Sequence, residues 1–422
     1  MGHNAPVSWF DGAGFGLFVH WDHASQQGLE VSWPLTGGVF ALPKAGSVPV
    51  AQYHSSAATF DPVEFDAPAL ARLAKNAGMT YAVLTARHHA GYAMWPTALS
   101  EYSVRNSPVG RDLVREFVDA ARAEGLHVGL YLSLSDWHQP DYPPYTDADQ
   151  PYQFGATPPP PTPERWARYM DYLFGQVREL LSEYGTIDVL WFDGGWERPA
   201  DWWQPEKLKE FIRSLQPEIL VNDRLPGVGD FATPEQFVPP QPLPGPWETC
   251  LTMNDSWGYV PNDTDYKSAR RLIHTLCETV GKGGNLLLNV SPTGSGALPP
   301  EQTERLETIA AWIERHSESV IGVDPGLEPW QFYGPSTRRG DRVYLHLLWR
   351  PYDQVTVRGI PVKRVRRVSV LGTGGELEFR TRTGIIEALF PDPDGELTID
   401  VPANVIDDDA TVIALDFEPV SA

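Results

Sequence analysis

Short continuous apolar runs alternate along the chain with longer stretches whose apolar positions recur every three or four residues. The first pattern predicts buried strands and the second predicts amphipathic helices. Strands are expected at 16–20, 81–85, 127–133, 187–192, 219–222 and 285–290. Helices are expected at 68–78, 111–124, 164–184, 207–215, 265–280 and 300–316. Repeated strand–helix units with apolar strands mean an α/β architecture with a parallel sheet covered by helices. Six such strands over about 320 residues fit a (β/α)8-like, TIM-type barrel. The sixth and seventh strands leave no clear pattern, so the barrel is expected to be irregular. After about Pro325 the texture changes to short alternating runs at 342–348, 355–358, 365–371, 397–401 and 411–417. These predict a C-terminal antiparallel β-sandwich. The expected division is 1–323 for the barrel and 324–422 for the sandwich. Two proline-rich stretches, 158–163 and 239–246, read as stiff surface loops.

Composition narrows the function. The 33 Lys and Arg against 55 Asp and Glu give a net charge of −22, which disfavours nucleic acid and anionic membrane as partners. No apolar run is long enough for a spanning helix. The first nine residues have neither a basic start nor an apolar stretch, so a cytoplasmic protein is expected. Two cysteines, Cys250 and Cys277, are too few for a disulfide framework or a cysteine metal cage. The 15 tryptophans stand out. Aromatic faces that are not meant for bases suit sugar rings, so carbohydrate is the first ligand class to consider. A homo-oligomer is compatible with this composition.

Barrel active sites gather at the C-terminal ends of the strands. Here those ends read His20-Trp21-Asp22, Arg87-His88-His89, Tyr131 followed by Asp136-Trp137-His138, Trp191-Phe192-Asp193-Gly194-Gly195, Asn222-Asp223-Arg224 and Asn289. Single polar strand ends are often helix caps; so many at one mouth point to a site. Asp193 follows a buried run and precedes two glycines, which leaves its carboxylate open to a ligand. Glycosidases need two carboxylates. Glu235 and Glu248, both in proline-bearing segments, are the main candidates for the second, beside Asp230. The residues alone do not choose between the two glutamates. His20, His23, His88 and His89 with Asp193 also admit a zinc site. Adjacent histidines on a strand face opposite ways, however, and Trp21 and Trp191 suit a sugar ring better than a metal. No metal and no cofactor are expected.

These segments resemble the α-L-fucosidases of glycoside hydrolase family 29. The resemblance is carried by Trp9-Phe10-Asp11, FGLFVHW at 15–21, YAVLTARHHAGYAMW at 81–95, GLYLSLSDW at 129–137, DVLWFDGGW at 188–196, VNDR at 221–224, WETCLTMNDSWGY at 247–259 and GKGGNLLLNVSP at 281–292. It implies a barrel with a C-terminal β-sandwich and a retaining exo-glycosidase acting on fucosylated oligosaccharides or glycoconjugates. By position it implies Asp193 as nucleophile. It places His20, His88, His89, Tyr131, Trp191 and Arg224 at fucose-contacting positions and Trp257 against the sugar. Glu235 aligns with the acid/base of one branch, and Glu248 with another glutamate proposed for that role; Glu235 is preferred. The family's Glu-Trp-Tyr segment is replaced by Glu30-Val31-Ser32-Trp33-Pro34, which leaves Glu30 and Trp33 as substrate-binding candidates. Asp22 stands where glycine is usual, and Ala90 where aspartate is usual. Trp21, Trp33, Trp191 and Trp257 are expected as pocket walls, and the sandwich as a structural partner.

Overall fold

The computed structural model describes residues 9–36, 48–150 and 160–419. Residues 1–8, read above for an export signal, and Pro158 and Pro159 of the first proline-rich stretch lie outside the described residues. Seven parallel strands form the first sheet: β1 (Phe15–Val19), β2 (Tyr81–Arg87), β3 (His127–Ser133), β4 (Val189–Asp193), β5 (Leu220–Val221), β6 (Glu248–Thr252) and β7 (Asn285–Val290). Their spatial order is β5-β4-β3-β2-β1-β7-β6. The helices are α1 (Val50–Ser55), α2 (Ala67–Asn76), α3 (Leu113–Ala123), α4 (Pro163–Glu183), α5 (Pro205–Leu215), α6 (Ala269–Gly281) and α7 (Pro300–His316). Asp66, Asp112, Thr162 and Ser268 accept first-turn N–H groups of α2, α3, α4 and α6, which satisfies one of the otherwise unpaired donors at the start of each helix. Among the described residues no helix is long and apolar enough to cross a membrane.

The sheet order leaves a gap between β5 and β6, and the extended segment 231–236 fills it. On one side Asp223 N–H donates to Phe231 C=O at 2.9 Å and Asp230 N–H to Val221 C=O at 2.7 Å. On the other, Glu248 N–H donates to Ala232 C=O at 3.0 Å and Cys250 N–H to Pro234 C=O at 3.1 Å. Pro234 has no N–H to continue a ladder, so this stave is irregular. No helix lies between β5 and it, or between it and β6. The expected barrel is present, and its irregularity falls at this seam. β6 escaped the apolar pattern because its run Glu248-Thr249-Cys250-Leu251-Thr252 is mostly polar, yet all five residues are buried.

Along each strand alternate side chains face opposite sides. Phe15, Leu17 and Val19 of β1, Ala82 and Leu84 of β2, and Leu190 and Phe192 of β4 pack in the large core shared with the helices. Phe18, Tyr81, Val83, Tyr131, Val189, Trp191, Cys250 and Leu287 form a separate cluster that fills the barrel interior. Gly16 makes room there: a Cβ at that position would lie 2.4 Å from the Tyr81 ring. Glu248 sits in the same interior. It accepts the Tyr81 hydroxyl at 2.6 Å and the Trp191 indole N–H at 2.7 Å, tying β2, β4 and β6 across the barrel.

The remaining strands are β8 (Asp324–Pro325), β9 (Ser336–Arg339), β10 (Arg342–Leu347), β11 (Gln354–Pro361), β12 (Val365–Val370), β13 (Phe379–Arg382), β14 (Asp394–Asp400) and β15 (Thr411–Phe417). They make antiparallel sheets in the orders β12-β15-β10-β9-β8 and β11-β14-β13 around their own apolar core. This is the expected sandwich. It docks on the barrel helices through Trp312 Nε1 to Ala410 C=O at 2.9 Å and the Arg315–Asp407 ion pair at 2.6 Å.

Burial pushes the Glu248 carboxyl up from 4.5 to about 7, against the two hydrogen bonds it accepts. The folded state therefore holds a proton that the unfolded state has released. The wild type should lose stability relative to Glu248→Gln as pH rises from 4.5 to about 7, by at most about 1.4 kcal/mol per pH unit. Thermal unfolding of both proteins across that range checks this; a stability difference that does not change with pH would contradict it.

Candidate active site

The inward row of side chains continues past the interior cluster to the C-terminal mouth. There the strands open on a cavity of about 290 Å³, near the small end of ordinary ligand pockets (about 300–1,000 Å³). Two residues beyond inward-facing Trp191, Asp193 ends β4 on the cavity wall. Its Oδ1 accepts Arg224 Nη1 at 3.0 Å and its Oδ2 accepts the Tyr131 hydroxyl at 3.1 Å. His89 Nε2 stands 3.5 Å from the same Oδ2. Burial raises the Asp193 carboxyl, but the Arg224 charge and then His89 outweigh it and bring it to about 2. Asp193 is thus an ionised carboxylate that is largely withdrawn from water.

Arg224 follows β5 and serves both sides of the barrel seam. Its Nε donates to Thr233 Oγ1 at 3.0 Å, and its Nη2 donates to Glu235 Oε2 at 2.8 Å. Burial opposes the guanidinium charge and Asp193 outweighs it. The Arg224 Cζ lies over the Trp191 ring, 5.2 Å from the ring centroid. Glu235 is more exposed than Asp193, with side-chain accessibilities of 40% and 12%. One carboxylate therefore lies deep in the cavity and the other at its mouth, on two arms of one cation.

The histidines divide by role. His20 Nδ1 lies 2.7 Å from Asn289 Oδ1, and Asn289 Nδ2 donates to Trp257 C=O at 2.7 Å. The amide is oriented by that second bond, so the His20 proton belongs on Nδ1 and Nε2 is an acceptor. Burial lowers His20 to about 3, so the ring is neutral. His88 lines the cavity, pairs through Nδ1 with Ser32 Oγ at 2.6 Å and stacks on Tyr131. Burial also keeps His88 neutral. β2 ends at Arg87, which frees the two neighbouring histidines from strict alternation. His89 does not line the cavity; it stacks on Trp137 and faces Asp193 from behind. His23 turns away to Ser56 and Tyr102. Among the described residues no group of three or more His, Cys, Asp or Glu is arranged to hold a metal ion.

Trp33, Trp191 and Trp257 line the cavity as expected. Other expectations are corrected, His89 off the cavity wall among them. Trp21 is core: it packs against Phe60 and Phe65, and its indole N–H donates to Thr293 C=O at 2.9 Å. Glu248 is absent from the cavity wall because Tyr81 and Trp191 occupy both its oxygens inside the barrel. Glu30 is also off the wall; it is fully buried and accepts the Trp257 and Gly258 N–H groups at 2.6 and 2.7 Å. Arg87 and Asp136, read as mouth residues, form a buried ion pair at 2.5 Å. Conversely Phe18, Trp196 and Cys250 line the cavity without having been singled out. Phe18 was legible as the inward position two residues before His20; Cys250, on the unpredicted β6, and Trp196 carried no such periodic signal.

The family model described as α-L-fucosidase matches residues 2–318. The chain is 29% identical to the tissue α-L-fucosidase of Homo sapiens over 94% of this chain and 85% of that one. It is 29% identical to the α-L-fucosidase of Dictyostelium discoideum over 87% and 84%. Its fold is similar to that of α-L-fucosidase isoenzyme 1 from Paenibacillus thiaminolyticus, with a TM-score of 0.85, 37% identity and coverage of 98% and 99%. It is also similar to a Bacteroides thetaiotaomicron enzyme of glycoside hydrolase family 29 trapped as a covalent intermediate, with a TM-score of 0.83, 25% identity and coverage of 99% and 97%. With three quarters of its length matched by the family model, this chain belongs to the α-L-fucosidase family.

Proposed function

We propose that the protein releases terminal α-L-fucose from fucosylated oligosaccharides or glycoconjugates with retention of configuration, through a covalent ester on Asp193. α-L-Fucosidase activity itself follows from the family. The finer assignment is supported by one observation: Arg224 holds Asp193 and Glu235 on two arms of a single guanidinium beside one cavity. That keeps the two carboxylates close, and retaining glycosidases hold theirs about 5–5.5 Å apart.

In the first step an Asp193 oxygen attacks the anomeric carbon. Glu235, at the mouth where a leaving group would exit, acts in its protonated, uncharged form and gives that proton to the departing oxygen. The ester leaves Asp193 without charge, so Arg224 is left to Glu235 alone. In the second step Glu235 takes a proton from water, the water oxygen attacks the anomeric carbon, and the ester bond breaks to restore the Asp193 carboxylate. His20 and His88 line the cavity and in this scheme bind sugar hydroxyls, His20 through Nε2, while the faces of Phe18, Trp191 and Trp257 that line it meet the ring and its methyl group. Neutral histidines suit this work because they bind hydroxyls without adding charge beside Asp193. His89 and Tyr131 hold the nucleophile. Residues 1–323 carry the chemistry in this scheme, and 324–422 are a structural partner.

Release of 4-nitrophenol from its α-L-fucoside, beside a panel of α-1,2-, α-1,3/1,4- and α-1,6-fucosylated oligosaccharides, tests the activity and gives the linkage. Asp193→Ala should lose about 10⁴-fold or more in turnover. Azide should partly restore it and yield a fucosyl azide of inverted configuration; wild-type turnover in that variant would overturn the assignment. Glu235→Ala should cost about 10²–10⁴-fold on oligosaccharides and far less on the nitrophenyl substrate, whose leaving group needs little protonation. Equal losses on both substrates, or this leaving-group dependence in Glu248→Ala instead, would remove Glu235 as acid/base.

A further inference from the structure

Glu30 is fully buried and does not touch the cavity, yet it meets the one loop that supplies the Trp257 wall. Its Oε1 accepts Trp257 N–H at 2.6 Å and its Oε2 accepts Gly258 N–H at 2.7 Å. The two segments lie back to back: a Cβ on Gly258 would stand 2.8 Å from Val31 N and 3.3 Å from Glu30 Oε2. Val31 itself holds a φ of +33°, a conformation that a β-branched residue rarely adopts. On its far side Trp257 C=O receives Asn289 Nδ2, and the same Asn289 orients His20. The root of the loop is tied to itself, with Asp263 Oδ2 accepting Asp255 N–H at 3.0 Å and the Ser256 hydroxyl at 2.7 Å. Its tip depends on Glu30 and Asn289. The Trp257 ring then packs 4.7 Å from the His20 ring at the cavity wall.

We propose that Glu30 is a positioning residue for substrate binding: its two oxygens fix the Trp257 backbone, and with it the aromatic wall of the sugar site. This rests on the reading of the cavity as the sugar site. A carboxyl group is suited to the task because it turns two acceptor oxygens toward two adjacent N–H donors. Glutamine offers one acceptor, and its NH₂ group would face the second N–H.

Two measurements keep the proposal separate from the reading of the cavity. Amide hydrogen exchange in the 253–263 peptide needs no substrate. Exchange at Trp257 and Gly258 should be slow in the wild type and much faster in Glu30→Gln, with peptides around Asp193 unchanged; equal exchange in the two proteins would overturn the proposal. In kinetics on the 4-nitrophenyl α-L-fucoside, Glu30→Gln should raise KM about 10-fold or more and change kcat less than about 3-fold. In a Trp257→Ala background, Glu30→Gln should add nothing to KM, since both act through one ring. Multiplying effects in the double variant would mean that Glu30 acts by another route and would overturn it. If Glu30→Gln fails to fold, Gly258→Ala should give the same KM split by pushing the loop off Glu30, and a wild-type KM there would overturn it as well. A wild type that shows slow exchange but no fucosidase activity would sink the reading of the cavity and leave the clamp standing.

Discussion

A buried carboxylate normally regains its proton, and the site depends on preventing that. Arg224 does so for Asp193. Arg224 is itself largely withdrawn from water, so each makes the other tenable, and truncating Arg224 would strand the Asp193 charge at a cost of about 3–5 kcal/mol. The other arm of Arg224 reaches Glu235 across the seam of the barrel. The irregular stave at the seam carries the second carboxylate of the proposed pair: the 231–236 segment brings Glu235 to the mouth, while Thr233 holds the Arg224 Nε. A regular strand and helix would enclose that edge rather than present it.

Around this cation the barrel supplies rigidity from below. The Tyr81–Glu248–Trp191 chain of hydrogen bonds crosses the interior under the cavity and fixes the indole over which Arg224 lies. From the side, Asn289 links the tautomer of His20 to the backbone of Trp257. The Trp191 and Trp257 walls are therefore each held by a buried polar group that does not itself line the cavity. Such groups remain satisfied only if the surrounding packing is correct, which is how strand pairing far from the sugar controls the shape of the site.

Much of this was legible in the sequence, for reasons that can be named. Strands β1 to β4 and β7 are apolar on both faces, and the helices carry a clear periodicity with capping residues at their starts. Asp193 stood out because a carboxylate ended such a strand before two glycines. Where the pattern failed, long-range pairing was responsible. β6 is polar in composition and is buried only because Tyr81, Trp191 and the 231–236 segment satisfy it. Glu248 looked like a candidate acid because a sequence does not reveal that both its oxygens are taken by residues 167 and 57 positions away. Glu30 was read toward the sugar for the same reason; its partners lie 227 and 228 positions distant. Trp21 follows His20 directly, and alternation alone sends it to the opposite face.

The account stands on Asp193 as the group that bonds to the sugar. Incubation with 2-deoxy-2-fluoro-fucosyl fluoride should trap that bond, because the fluorine at C2 slows both formation and hydrolysis of the ester while the fluoride leaving group keeps formation the faster step, so the ester accumulates. Peptide mapping by mass spectrometry should then find a single fluorofucosyl adduct, on the peptide that contains Asp193. An adduct on Glu235 or Glu248, or turnover of the reagent with no adduct on the protein, would contradict the account.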